Sequence, residues 1–183
     1  RPMSEDKVFH GVERLRSPER LAALEVDKVV MLALQGILAK TVLDVGTGSG
    51  VFAGAFAERK LSVTGIDIQE EMLAAARTLV PKAKFQLVSS EELPFLDASF
   101  DLVFMGVVLH ETKDPLKAVK EAFRVCALRT AVLEWPYDEG AKAGPPQNLR
   151  LKAEEIAGFA DEAGFARTIA IHLANLILYV MEK

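Results

Sequence analysis

Three glycines at alternate positions, Gly46, Gly48 and Gly50, close the stretch VLDVGTGSG behind a short apolar run that holds one acid, Asp44. Each glycine costs ordering entropy, so such spacing marks a backbone that something approaches closely. A second acid, Asp67, ends the next apolar run, where a carboxylate accepts two O–H donors at once more strongly than any neutral side chain. His110 and Glu111 follow the fourth apolar run, and an imidazole there can take a proton from a nucleophile near neutral pH. His110 is the first candidate for such a base, with Glu111 and Tyr137 next. His10, His110, His172 and the one cysteine, Cys126, have no metal-ligand spacing, so no metal site is expected. The chemistry these residues suit is that of a small organic ligand held against bare backbone.

The elements that must position them alternate. Thr41 to Val45 is apolar and β-branched and reads as a strand, and the glycines lead from it into a helix at VFAGAFAERK. Leu61 to Ile66 predicts a strand, Glu70 to Leu79 a helix stopped by Pro81, and Ala83 to Val88 a third strand. Phe100 to Gly106 reads as a buried strand, Pro115 to Val125 as a helix and Thr130 to Trp135 as a fifth strand. A helix over Lys152 to Glu162 precedes RTIAIHL and NLILYVME, which Ala174 and Asn175 join into a hairpin. This order predicts an α/β three-layer sandwich with a Rossmann-like, seven-stranded, mostly parallel sheet that ends in an antiparallel C-terminal hairpin. Ser17 or Pro18 starts one or two leading helices, expected over the open edge of the sheet. The organisation expected is a helical cap over the active site at 1–38 and a single compact domain at 39–183.

Composition narrows the function. The 183 residues carry 22 basic and 26 acidic side chains, a net charge of −4, and half of them are hydrophobic. That balance suits a globular domain and lacks the basic footprint of a duplex nucleic-acid binder. No apolar run approaches membrane-spanning length, and RPMSEDK has no hydrophobic region behind its charge, so it does not read as a secretory signal. Arg1 and Pro2 are candidates for a cloning remnant. A lone cysteine excludes an internal disulfide and fits a cytoplasmic setting.

A nicotinamide site would set its third glycine five residues after the first, whereas here the interval is four. With Asp44, Asp67, the segment SSEELPFLDASFD and the terminal hairpin, the chain resembles class I S-adenosylmethionine-dependent methyltransferases, closest to the small-molecule methyltransferases of type 11 that include quinone-biosynthesis enzymes. The resemblance implies that Gly46, Thr47 and Gly48, with Gly50 closing the turn, lie against the methionine and ribose of S-adenosylmethionine. It implies that Asp67 holds both ribose hydroxyls and that Ile68 and Met72 flank the adenine. The family commonly has an aspartate where Ser89 stands, so the acceptor for the adenine amine is missing or replaced by Glu91, by Ser90 or by backbone. Met105 and Gly106 match positions whose carbonyls receive the methionine ammonium, near which Asp44 bonds backbone or water.

Two departures stand out. VCALRTAVLEW has no proline-glycine-glycine turn before the fifth strand, and Leu109-His110-Glu111 replaces paired histidines found in many relatives. The implied activity is methyl transfer to a small-molecule acceptor by in-line displacement, with S-adenosylhomocysteine as product. The alternatives are a catalytically silent S-adenosylmethionine-binding module or partner subunit and, less favoured, a nicotinamide dehydrogenase. A small-molecule methyl acceptor is the expected partner, and a homodimer is left open. Among blander readings, the glycines tighten a turn, Asp67 caps the next helix, Asp97 and Asp101 are structural, and Cys126 is core. Glu134, Trp135 and Tyr137 either line the substrate pocket at the crevice or form a packed strand end, and DEGAKAGPPQNLR is a candidate lid whose Arg150 is available for an anionic substrate group.

Overall fold

The computed structural model describes residues 11–138 and 143–183. His10, and residues 139–142 of the expected lid, lie outside them. One seven-stranded sheet runs through the molecule in the order β3-β2-β1-β4-β5-β7-β6. Its strands are β1 (Thr41–Val45), β2 (Ser62–Asp67), β3 (Lys84–Leu87), β4 (Phe100–Gly106), β5 (Cys126–Glu134), β6 (Arg167–His172) and β7 (Ile177–Glu182). The first five strands are parallel, and β7 lies antiparallel between β5 and β6. Leu173 N–H donates to Leu176 O at 2.8 Å, which closes the two-residue turn at Ala174 and Asn175.

Alternation along the strands builds two cores. Val42, Leu102, Phe104, Ala131, Leu133, Leu178 and Val180 point to one face. There α2 (Val26–Leu34), α3 (Val51–Glu58) and α4 (Glu70–Leu79) pack, contributing Val29, Val30, Phe56 and Leu73. Leu43, Val103, Met105, Val132 and Tyr179 point to the other, against Ala118 and Val119 of α5 (Pro115–Val125) and Ile156 of α6 (Ala153–Ala163). The helices thus form the outer layers of a three-layer sandwich.

The leading segment differs from expectation. Helical residues 11–15 precede α1 (Pro18–Leu24), whose N-cap Ser17 accepts from Arg20 N–H at 3.3 Å, and Glu25 at φ 49° separates α1 from α2. Instead of lying over the sheet edge, α2 covers a face beside α3, because Val29, Val30 and Ala33 form an apolar stripe that only the sheet can bury. Strand β5 also begins earlier than predicted, at Cys126, because α5 passes straight into it through Cys126 in extended conformation. One extra residue on β5 between the pairs Phe100–Cys126 and Leu102–Arg129 absorbs the change of direction. The missing proline-glycine-glycine turn is therefore a missing loop. Asp101 is structural, accepting from Lys40 and Thr41 N–H at 2.7 and 3.1 Å and so aligning the starts of β1 and β4.

Candidate cofactor and substrate cleft

A cleft of about 500 Å³ opens at the carboxyl ends of β1, β2 and β4, where parallel sheets receive ligands. The glycine turn forms its floor. Gly46, Gly48 and Gly50 sit at φ +68°, +53° and +84°, left-handed conformations that disfavour side chains. A Cβ on Gly46 would lie 2.3 Å from Cγ2 of Val108, so the turn and the loop after β4 touch backbone to side chain. Gly50 serves a different purpose: it caps α3 and faces Val80, Ala76 and Phe85, away from the cleft wall that Gly46, Thr47 and Gly48 line. Gly65 is a position that sequence reasoning missed, since a Cβ there would meet Phe85 at 2.6 Å and Thr47 Oγ1 at 2.8 Å. A glycine inside a strand was the available signal.

Asp67 binds the turn itself. Its Oδ2 accepts Gly48 N–H at 2.8 Å and its Oδ1 accepts Gln69 N–H at 3.0 Å, so the acid orders both the glycine loop and the entrance to α4 while its remaining lone pairs face the cleft. Asp44 is buried, with Oδ2 accepting the Thr47 hydroxyl at 2.7 Å. Burial pushes its pKa up to about 7; the Thr47 hydrogen bond and the Ala53 amide oppose the rise, and the Asp67 charge adds to it. Ile68, 72% exposed, and Met72 stand on one wall, with Ser89, Ser90 and Glu91 beside them. Glu91 is partly committed, because Asp114 N–H donates to its Oε1. Gly106 lines the cleft, whereas Met105 turns its side chain into the core under α5 and is not on the wall.

The base candidates separate. A short 3-10 turn, Leu109–Glu111, follows Val107 at φ 50° and is anchored by buried Leu109. The His110 amide and ring Nδ1 both reach Glu134 Oε1 at 3.0 Å, and Nδ1 lies 2.9 Å from Oε2. With 6% of its side chain accessible and no place on the cleft wall, His110 is not where a substrate in this cleft could reach it, contrary to expectation. Burial works to lower its pKa, yet the hydrogen bond and charge of Glu134, with Glu111 adding, outweigh burial and raise it; Arg150 opposes them. Glu111 does line the cleft, its carboxylate exposed and 3.7 Å from His110 Nε2.

Of the two readings for Tyr137, Trp135 and Glu134, the packed strand end fits better, since none of the three lines this cleft. Tyr137 lies under Lys152 Nζ, 5.1 Å from the ring centroid. Arg150 is buried and donates to Pro145 O at 2.9 Å, Pro136 O at 3.0 Å and Ala143 O at 2.5 Å, with its guanidinium over Trp135. It ties down the ends of its loop and offers nothing to an anion. Sequence reasoning also missed Arg16, which donates to Ser49 Oγ at 3.1 Å and Ser49 O at 2.7 Å and so seats the N-terminal segment on the glycine turn.

The solved structure of a SAM-dependent methyltransferase from Aquifex aeolicus superposes with a TM-score of 0.82 at 25% identity, covering 98% of each chain. The profile of the family described as Methyltransferase domain matches residues 43–129, from the end of β1 to the middle of β5. Residues 43–129 thus match a methyltransferase domain, and the chain is similar to S-adenosylmethionine-dependent methyltransferases. It is similar to the ubiquinone/menaquinone biosynthesis C-methyltransferase UbiE of Rickettsia peacockii, 41% identical over 96 residues that cover 46% of this chain and 39% of the relative. It is also similar to the demethylmenaquinone methyltransferase of Chlorobaculum parvum, 39% identical over 85 residues covering 46% and 35%. The chain spans about two fifths of the length of these curated relatives. The residues present fit the methyltransferase cofactor: a side-chain-free turn that a Cβ would fill, an acid with lone pairs toward the cleft, and a partly apolar wall opposite. No helix among the described residues is long and apolar enough to cross a membrane.

Proposed function

We propose that this domain binds S-adenosylmethionine in the cleft and transfers a methyl group to a small-molecule acceptor. The observation that carries the reading is the glycine turn pressed against Val108 with Asp67 bonded to its Gly48 amide, since together they present bare backbone and an anion to one ligand. S-adenosylmethionine, when bound, supplies a methyl group already activated by its sulfonium, so the chain has chiefly to align the acceptor and exclude water. Asp67 would hold the ribose hydroxyls, Gly46, Thr47 and Gly48 would face the ribose and methionine, and Ile68 and Met72 would flank the adenine. Ser89, Ser90 and Glu91 would offer acceptors to its amine. Asp44 and the carbonyl of Gly106 would receive the ammonium, while Met105, expected to share that role, lies off the cleft wall.

Glu111 takes the role of proton acceptor where the nucleophile needs one, because it alone of the three candidates lies on the wall. His110 becomes a positioning residue that fixes the 3-10 turn to Glu134. The helices before residue 38 provide the cover, through Leu15 and Leu24. The buried free thiol of Cys126 supports a reducing, cytoplasmic setting.

Calorimetry with S-adenosylhomocysteine tests the reading. The wild-type protein is expected to bind, and Asp67→Ala to weaken binding about a hundredfold or more through the loss of two hydrogen bonds to a charged group. Retained affinity in the variant would remove the ribose assignment. A screen of candidate acceptors, read by S-adenosylhomocysteine release, tests turnover itself.

A further inference from the structure

We propose that Arg14 and Arg20 form a receptor for an anionic group, a carboxylate or phosphate, carried by the methyl acceptor; the proposal rests on the cofactor reading above. Arg14 lies on helical residues 11–15 and Arg20 on α1, and both line the cleft where the leading helices cover it. The other arginines near the core are saturated: Arg16 by Ser49, Arg124 by Glu121 and Asp97, Arg129 by Glu182 and two carbonyls, Arg150 by three carbonyls. Among the described residues, no hydrogen bond or ion pair engages the guanidinium of Arg14 or of Arg20. Arg20 is nonetheless half-buried, and burial and then the like charge of Arg14 lower its pKa, with Glu111 opposing. Two guanidinium groups whose like charges act on each other, with no ion pair to hold either, are an arrangement that a bound anion relieves.

Lys113 is a third cation on the cleft wall, which also carries the acids Asp44, Asp67, Glu91 and Glu111. Between them the wall is apolar, with Leu15, Leu24, Phe52 and Val107. A ligand that suits it has an apolar body and one anionic end, matched by the planar, two-pronged donors of arginine. The methionine carboxylate of the cofactor has the same chemistry. It arrives, however, with an ammonium and a sulfonium, so the cofactor as a whole is cationic, whereas an anionic acceptor brings a carboxylate or phosphate with no cation attached.

The test uses two matched probe pairs, 2-naphthoate with 2-naphthamide and octanoate with octanamide, titrated by calorimetry into the whole protein with and without S-adenosylhomocysteine. At least one carboxylate is expected to bind about tenfold or more tightly than its amide, in line with charged hydrogen bonds, and the preference is expected to weaken with added salt. Arg14→Gln and Arg20→Gln should each reduce the preference and the double variant abolish it, while Arg20→Lys keeps part of it and S-adenosylhomocysteine affinity stays within about twofold. Absence of any carboxylate preference in the wild-type protein overturns the proposal. So does a drop in S-adenosylhomocysteine affinity in the variants with the preference intact, which assigns the arginines to the cofactor's own carboxylate. The S-adenosylhomocysteine titration of the wild-type protein is a separate arm: its failure removes the cofactor reading, while the carboxylate-to-amide ratio measured without nucleoside still decides whether the arginines bind anions.

Discussion

Asp44 is a carboxyl group whose preferred state in the folded chain is the neutral one near pH 7. Its ordinary pKa is about 3.9, and burial pushes it up to about 7, so between those values the folded protein binds more protons than the unfolded one. The stability due to the protonated acid is complete below the unfolded value and is lost as pH rises through the folded one. Unfolding titrations should therefore show wild-type stability falling against that of Asp44→Asn from about pH 4 to pH 7 and levelling above. An ammonium bound beside Asp44 would favour the anion, so S-adenosylhomocysteine affinity should rise with pH over the same window in the wild-type protein and stay flat in the variant. Gly46 makes a steric prediction at the same scale. Gly46→Ala should cost about 2–4 kcal/mol in denaturant unfolding, since it combines a left-handed residue with overpacking against Val108. Gly36→Ala, equally left-handed at φ +81° but in open space, should cost only about 1 kcal/mol. The glycine spacing was legible in the sequence because it encodes its own backbone conformation. The orientation of His110 was not, because Glu134, the group that fixes it, is brought beside it only by the pairing of β4 with β5.

The N-terminal cover meets the glycine turn at a polar joint, the Arg16 bonds to Ser49. Arg16→Ala removes a charged donor from a part-buried carbonyl and hydroxyl, a loss of about 1.5–3 kcal/mol in local ordering. Hydrogen exchange should then quicken over residues 11–16 and leave β4 and β5 protected, and S-adenosylhomocysteine should bind more weakly as its cover loosens. Unchanged exchange in that segment would mean that Leu24 and its apolar neighbours alone seat the cover. Elements with clear punctuation were read from the sequence to the residue. Glu70–Leu79 ends before Pro81, and Pro115–Val125 begins at a proline behind Asp114, whose side chain accepts Lys117 N–H at 3.0 Å. The start of β5 was misread because α5 runs into it without a turn residue to mark the junction. The N-terminal helices were placed at the wrong part of the sheet because an apolar stripe specifies that it will be buried but not which surface buries it.

At the scale of the whole molecule, the two ends of the sheet divide the work. The carboxyl ends of β1, β2 and β4 carry the glycine turn, Asp67 and the cleft, whereas the opposite end is held by Arg129 near the start of β5. Arg129 is buried and donates to Ala33 O and Gln35 O at 2.8 Å each, and to Glu182 Oε1 at 2.9 and 2.6 Å. One side chain thereby joins the end of α2, the central sheet and the last strand, segments that span most of the sequence. Arg129→Met fills similar volume but leaves two carbonyls and a half-buried carboxylate without their donor, which is expected to cost about 3–5 kcal/mol. For a domain of this size that lowers the melting temperature by about 10 °C. Glu182→Gln, which keeps an acceptor opposite the guanidinium, should cost much less, so a double-mutant cycle between the two positions should show strong coupling. Because this joint lies at the end of the sheet away from the cleft, Arg129→Met measured well below its melting temperature should bind S-adenosylhomocysteine within about twofold of wild type. A large loss of affinity in a variant that remains folded would show instead that the seating of α2 on the sheet is transmitted through the leading helices to the cleft they cover.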